Sequence, residues 1–463
     1  MSIVMKFGGT SVADAAAFDN VARIIAAECN SLPVVVVSAM SGVTDSLLAA
    51  TSTAAEGDTR QAIASLESVF NRHKTAASEL LPDHKGEEFL DELKSAADHL
   101  AARLHDVANK PSERSALQDA VVSTGEILSS ALLAAVLNER GVEARQVDAR
   151  RCIITDEEYT CAVPLMSETF AHSQNELHPL LNKGVVPVLG GFIAATRGGA
   201  TTTLGRGGSD YTAALFGAAL GANEIQIWTD VTGVLTADPR VVAEARTVER
   251  MSYSEAAELA YFGAKVLHPK TIQPAIENAI PVRICNSRAP DEGGTLVGPT
   301  ETSPTTLKAI AHKTGVTIVQ ITSARMLGAY GFLRALFEVF DRYRTVIDVV
   351  TTSEVSVSLS LDDARSLPAI VQELEQLGTV RVEKGRAIVC VVGEGLRGTP
   401  GIAARAFSTI SDINVSLISQ GASSINFTFA VEEERAKEVV TRLHEEFFGH
   451  KLAQKAQHVK EAS

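Results

Sequence analysis

Ile3-Val4-Met5-Lys6-Phe7-Gly8-Gly9-Thr10-Ser11 decides the reading of the fold. Ile3 to Lys6 reads as a short apolar strand that runs into a glycine turn, and from there to Cys29 the residues Val12, Phe18, Val21, Ile24 and Ile25 recur at helical spacing. The unit is strand, glycine turn, helix. Pro33 to Ser38 repeats the pattern as a β-branched run, with Ser41-Gly42-Val43-Thr44 leading into Leu47 and Leu48. Strands alternating with helices predict an α/β fold: a mainly parallel sheet sandwiched by helices.

Outward from this start, Asp45 to Arg140 is rich in Ala, Leu, Glu and Lys and reads as several helices. Val185 to Phe192 returns to strand character, Thr201 to Tyr211 is a polar glycine turn, and Thr212 to Leu220 is a helix. Ile225 to Trp228 is a buried strand delivering Thr229-Asp230, and Pro281 to Ile284 is expected as the last strand of this domain. Arg288 to Pro304, with three prolines and three glycines, reads as a linker. Beyond it, sliding the sequence by 70 positions lays Ile318-Val319 on Ile388-Val389, Gly331 on Gly401, Phe337 on Phe407 and Ser353 on Ser423. Each copy reads as a β-α-β-β-α-β module, ferredoxin-like, with sheet edges free for pairing between chains. Lys451 to Ser463 is a polar tail.

A chain of 463 residues implies more than one domain, and 45% apolar with 21% charged residues is the composition of a packed globular protein. The net charge of −14 argues against nucleic acid or an anionic membrane as partner, so any anionic ligand must be held by local groups. The first residues carry no secretory pattern and no apolar run nears the roughly 18–20 residues that span a bilayer, so a cytoplasmic address is expected. Cys29, Cys152, Cys161, Cys285 and Cys390 are scattered without metal-ligand spacing and read as reduced core thiols.

Three glycine-bearing segments carry the chemistry. In Lys6 to Ser11, Gly8 and Gly9 let backbone N–H groups approach an anion, and Lys6 adds a full charge. The segment lacks both the Walker and the dinucleotide-binding spacing. Thr201 to Asp210 gathers three Thr hydroxyls, the Arg206 fork, three glycines and a carboxylate, a set suited to an anionic ligand. Trp228 to Arg240, with Phe262 to Pro269, places Thr229-Asp230, an Arg and a Lys where a nucleotide would sit. His268 before Pro269 reads as structural, and Glu126 after Gly125 reads as a helix-cap carboxylate.

Together these segments resemble the aspartokinase family of the amino acid kinase superfamily, and the doubled C-terminal module resembles its paired ACT domains. The likeness runs from residue 1 to about residue 450 and is greatest to the monofunctional, lysine-sensitive type. It implies a catalytic domain over 1–295, a linker over 296–306, ACT-like domains over 307–385 and 386–450, and the tail over 451–463. The implied reaction is ATP-dependent phosphorylation of the L-aspartate β-carboxylate, the first step toward lysine, threonine and methionine. ATP and Mg²⁺ are its cofactors, no protein metal ligands are assigned, and a homodimer or tetramer through the ACT-like domains is implied.

By the same resemblance Lys6 and Asp210 are catalytic, and Thr44, Glu126, Arg206, Gly207, Gly208 and Ser209 bind substrate, Glu126 taking the α-ammonium rather than capping a helix. Lys6, Gly8, Gly9, Thr10, Thr229, Asp230, Leu235, Arg240, Lys265 and Val266 fall to the nucleotide, Leu235 standing where relatives often carry an aromatic residue. Met326, Phe332, Leu333, Asp348, Thr352, Ser353 and Glu354 match an allosteric site for L-lysine, with Ala329 and Val346 where relatives often carry Ser. A superfamily kinase acting on another substrate would share the scaffold without needing the Glu126–Arg206 clamp. A non-enzymatic amino-acid sensor would dispense with the phosphate machinery.

Overall fold

The computed structural model describes residues 2–263, 267, 269–299, 307–328 and 330–449. Lys265, Val266, His268, Ala329 and the tail lie outside the described residues. The chain divides into two compact units. The first comprises Met1–Val234, Glu249–Tyr253 and Val266–Thr300; the second comprises Leu235–Val248, Ser254–Lys265 and Glu301–Ser463.

The first unit carries eleven strands among its described residues: β1 (Ile3–Phe7), β2 (Pro33–Val37), β3 (Ala144–Val147), β4 (Ile154–Thr155), β5 (Val186–Gly190), β6 (Ile193–Thr196), β7 (Thr201–Thr203), β8 (Glu224–Thr229), β9 (Arg250–Ser252), β10 (Val282–Asn286) and β11 (Thr295–Gly298). Eight form one sheet in the order β3-β5-β2-β1-β8-β10-β11-β9, parallel at every described pairing except β10 with β11. The expected last strand is therefore followed by another, because Thr295–Gly298 continues the sheet antiparallel to β10 inside the stretch read as linker. β1 lies at the centre of the order with β2 and β8 on either side, so Val4 and Met5 are sealed in the core while Lys6 is left at its C-terminal end. Strands β4, β6 and β7 form a separate small sheet, and β7 occupies the start of the segment read as a glycine turn.

Helices Val43–Ala55, Thr59–Ser65, Glu67–Leu80, Asp83–Asn109, Arg114–Val122 and Thr124–Glu139 fill the stretch expected to be helical. Pro111–Glu139 is long and apolar enough to cross a membrane by length and composition, contrary to the expectation that no apolar run nears that length. It is mostly buried, and Leu132, Leu133, Val136 and Leu137 pack into the core of the first unit, as in the central helix of a globular domain.

In the second unit six strands form an antiparallel sheet: β12 (Ala309–Thr322), β13 (Val350–Thr352), β14 (Ser356–Leu361), β15 (Thr379–Val392), β16 (Leu417–Gln420) and β17 (Asn426–Glu432), in the order β13-β14-β12-β15-β17-β16. The two modules are interleaved rather than consecutive. Residues 317–322 of β12 pair with β14, and residues 386–392 of β15 pair with β17, while β12 and β15 pair with each other along their length. Among the described residues the second copy has no fourth strand after its last helix, and residues 309–313, upstream of the first copy, take that place. Each module keeps its own core: Val319, Leu336, Phe340 and Leu359 in the first, Ile310, Val389, Phe427 and Val440 in the second. Ala237 and Val242 belong to the second core, which ties 235–248 to this unit.

Cys152, Cys285 and Cys390 are buried as expected of core thiols, but Cys161 is exposed and Cys29 only partly buried. Both of these lie outside continuous apolar elements, Cys161 in a loop and Cys29 in a short 3-10 turn.

Candidate active site

Three strand-to-helix connections of the first unit and the end of β8 converge on a cleft of about 790 Å³. Lys6 enters from the end of β1, and its Nζ lies 2.7 Å from Oδ1 of Asp210 in the first turn of helix Gly208–Leu220. Both side chains are largely buried, at 12% and 19% exposure, so the pair holds a positive charge at the cleft floor with one fixed partner. The turn after β1 approaches the turn after β2 so closely that a Cβ on Gly9 would stand 2.9 Å from the Ala39 carbonyl. The Gly8 N–H donates to the Trp228 carbonyl at 3.1 Å and is not available to a phosphate, contrary to expectation; Gly9 and Thr10 begin the short 3-10 turn that follows.

The second connection, Ser38 to Thr44, turns through Gly42 at φ +78° into helix Val43–Ala55. Ser38 Oγ donates to Ser209 Oγ at 3.1 Å. Arg72 pins two loops from outside, its Nη1 donating to the Ser41 carbonyl at 2.8 Å and its Nη2 to the Ala13 carbonyl at 3.0 Å. The third connection follows β7, where Gly207 takes a left-handed φ of +75° and leads into Gly208–Leu220. Arg206 is exposed at this turn, lines the cleft, and forms no ion pair among the described residues. Thr229 and Asp230 lie at the end of β8, joined by a bond from Thr229 Oγ1 to Asp230 Oδ1 at 3.2 Å.

Glu126 occupies the first turn of helix Thr124–Glu139, which presses close to the sheet: Cβ atoms on Gly125 and Gly190 would meet Ala39 Cβ at 2.8 Å and Glu126 Cβ at 3.0 Å. The carboxyl lines the cleft yet is 3% exposed, and its Oε2 has no hydrogen-bond partner among the described residues. Burial pushes it up to about 8, against weaker lowering by backbone N–H groups of Ala39 and Glu126 itself. A buried carboxyl with an unsatisfied oxygen in an open cleft is poised for a cation. Nearby Asp119, also in the wall, is fully buried and fully bonded: Oδ2 accepts from the N–H groups of Thr160 and Thr203, and Oδ1 from Thr203 Oγ1.

Of the residues expected at the site, the cleft brings together Lys6, Gly8, Gly9, Thr10, Thr44, Glu126, Arg206, Gly207, Gly208, Ser209, Asp210, Thr229 and Asp230. Leu235 and Arg240 belong to the second unit. There the main chain around Leu235 is taken up by a bridge to Thr247 and by Thr236, whose hydroxyl meets His444 Nε2 at 2.8 Å, while Arg240 is paired to Asp238 in its own turn at 2.7 Å. Ser38, Arg72 and Asp119 were not anticipated. Their roles depend on partners distant in sequence, and no local pattern marks them.

The expected effector residues lie on the first module of the second unit. Asp348 is almost wholly buried, at 4% side-chain exposure; its Oδ1 accepts from the Tyr261 hydroxyl, and its Oδ2 accepts no hydrogen bond, with Lys313 Nζ 3.9 Å away. Met326 and Phe332 pack on the module core, Leu333 is 40% exposed, and Ser353 accepts from the N–H groups of Val355 and Ser356 in a tight turn. Thr352 and Glu354 are exposed.

A glycine-lined cleft over a parallel sheet, with paired ferredoxin-like modules elsewhere in the chain, is the architecture of an amino acid kinase domain joined to ACT domains. Residues 1–286 match the Amino acid kinase family and residues 389–447 the ACT domain. The chain is 38% identical to the lysine-sensitive aspartokinase 3 of Escherichia coli over 96% of its own length and 99% of the relative's. It is 39% identical to the chloroplastic aspartokinase 1 of Arabidopsis thaliana, over 97% and 80%. It is similar to the crystal structure of E. coli aspartokinase III in complex with aspartate and ADP, described as the R-state, with a TM-score of 0.80, 37% identity, and coverage of 97% of this chain and 100% of that one. The corresponding complex with lysine and aspartate, the T-state, gives 0.81 and 38%, with coverage of 96% and 99%. The chain belongs to the aspartokinase family.

Proposed function

We propose that the chain transfers the γ-phosphoryl group of MgATP to the β-carboxylate of L-aspartate, giving 4-phospho-L-aspartate, the entry to lysine, threonine and methionine. The observation that carries this reading is one cleft holding both a buried Glu126, whose Oε2 has no hydrogen-bond partner among the described residues, and an Arg206 with no ion pair among them, the counter-charges of an α-amino acid, beside Lys6 and the glycine turn. Arg206 clamps the α-carboxylate bidentately and Glu126 receives the α-ammonium. Thr44 and Ser209 add hydrogen bonds, with Gly207 and Gly208 giving the backbone close approach. The β-carboxylate, with a pKa of about 3.9, is already ionised at neutral pH, so the site needs no general base. Catalysis consists of in-line positioning and of neutralising charge on the transferred group.

Lys6 supplies that charge, oriented by Asp210, and the Gly9–Thr10 turn offers backbone donors. Mg²⁺ enters with the nucleotide phosphates, a mode that demands few protein ligands. Thr229 and Asp230 face the nucleotide. Hydroxylamine trapping of an acyl phosphate formed from ATP and L-aspartate tests the assignment; folded protein that yields none overturns it, and a substrate panel then identifies the acceptor.

L-Lysine is the proposed feedback inhibitor, its ammonium drawn to Oδ2 of Asp348, which accepts no hydrogen bond among the described residues and has Lys313 Nζ 3.9 Å away. A homodimer through the edges of the antiparallel sheet, or a tetramer built from it, is the proposed assembly, supported by exposed Leu333, Phe337, Val346 and Val350 on the first module.

A further inference from the structure

We propose that Asp119 is a positioning residue for the acceptor end of the cleft, acting through Thr160 and Thr203 on the turn that carries Arg206. The inference rests on the assignment of Arg206 as the clamp for the substrate carboxylate. Asp119 projects from helix Arg114–Val122 and is fully buried although it lines the cleft. Oδ2 accepts the Thr160 N–H at 2.8 Å and the Thr203 N–H at 3.0 Å, and Oδ1 accepts from Thr203 Oγ1 at 2.8 Å. With three donors on two oxygens and no exposed surface, the carboxylate is committed to the protein, not to a ligand.

Two observations make this more than a satisfied core contact. Thr160 has φ +71°, a left-handed conformation that a β-branched residue adopts only when its surroundings impose it, and Thr160 itself lines the cleft. Thr203 is the last residue of β7, and Leu204 and Gly205, the latter at φ +72°, separate it from Arg206. The loop bearing Thr160 is docked on this same turn: Ala162 N–H donates to the Thr203 carbonyl at 2.8 Å, and a Cβ on Gly205 would stand 3.1 Å from Cys161 Sγ. Asp119 is bonded to both sides of that junction. Removing it strands the buried Thr203 N–H, leaves the part-buried Thr160 N–H without its acceptor and releases Thr160 from its strained conformation, so the wall beside Arg206 shifts.

The test is steady-state kinetics of full-length wild type, Asp119→Asn, Asp119→Ala and the double variant Asp119→Ala with Thr160→Gly, aspartate and ATP being varied in turn. Asparagine keeps all three bonds, its Oδ1 taking both N–H groups and its amide donating to Thr203 Oγ1, so its KM for aspartate stays within about threefold of wild type. Alanine raises KM for aspartate about tenfold or more and leaves KM for ATP within about twofold. Glycine at 160 accepts the left-handed backbone without strain, so the double variant recovers part of the loss.

An unchanged aspartate KM in Asp119→Ala overturns the proposal, as does an equal rise in both KM values. Asn as damaging as Ala also overturns it, because the charge itself would then be meeting substrate. If Asp119→Ala does not fold, Thr203→Val, which deletes only the hydroxyl donor, must raise the aspartate KM selectively, and a wild-type value refutes the role. Wild-type protein inactive with aspartate counts against the substrate assignment instead, and the same split is read with the amino acid it does phosphorylate.

Discussion

Glu126 gives the most demanding prediction, because its burial sets a pH dependence with a sign and a size. With its carboxyl pushed from 4.5 up to about 8, ionising it in the cleft costs about 5 kcal/mol more than in water, at 1.36 kcal/mol per pH unit. At pH 7 only about a tenth of the protein carries the anion that a substrate ammonium needs. Binding an ammonium therefore expels close to one proton per site at pH 7 and almost none at pH 9. The apparent KM for aspartate falls about tenfold between those values as the group titrates through 8. Calorimetry in buffers of different ionisation enthalpy counts the proton, and initial rates give the KM profile.

Glu126→Gln removes both signals and raises KM by roughly two orders of magnitude, the cost of leaving a buried ammonium without its counter-charge. The same shift predicts that, because the folded pKa is raised, the stability held below pH 4.5 is lost progressively as pH rises toward 8; the melting temperature of wild type should fall relative to Glu126→Gln over that range. A flat KM profile from pH 7 to 9 with no proton release refutes the assignment of Glu126 as the ammonium site.

Further expectations follow from the same geometry. Lys6→Met should lower kcat by roughly three orders of magnitude, because it removes charge from the phosphoryl oxygens, and should lower the melting temperature as well, because it leaves the largely buried Asp210 without its partner; near-normal turnover would remove Lys6 from the mechanism. Arg206→Ala should raise KM for aspartate by roughly 30–100-fold with KM for ATP unchanged, as loss of a bidentate charged clamp requires; equal effects on both KM values would argue against it. Asp348→Ala should abolish inhibition by lysine without lowering uninhibited activity. Tyr261→Phe, which frees Oδ1 of Asp348, should lower the lysine concentration needed for half inhibition; unchanged inhibition in both variants would place the effector site elsewhere.

The parallel sheet was legible because its strands are short apolar runs that end in glycine turns, and those turns mark the Lys6, Thr44 and Arg206 edges of the cleft. The repeat was legible because 70-residue spacing preserves both Gly331/Gly401 and Phe337/Phe407. Register was not. Strand β12 is one continuous run of 14 residues, and only its pairing shows that 309–313 serve the second module while 317–322 serve the first. Leu235 and Arg240 were assigned by a linear segment whose anchors, such as Thr236 with His444 208 residues away, are tertiary. Asp119 was missed for the same reason: a single acid in an apolar helix has no periodic signature, and its partners lie 41 and 84 residues downstream.

The most direct test of the central claim is acyl phosphate formation from MgATP and L-aspartate, trapped as the hydroxamate, with and without L-lysine. The account predicts hydroxamate with aspartate that lysine suppresses. Folded protein forming none with aspartate, while forming it with another amino acid, would contradict it.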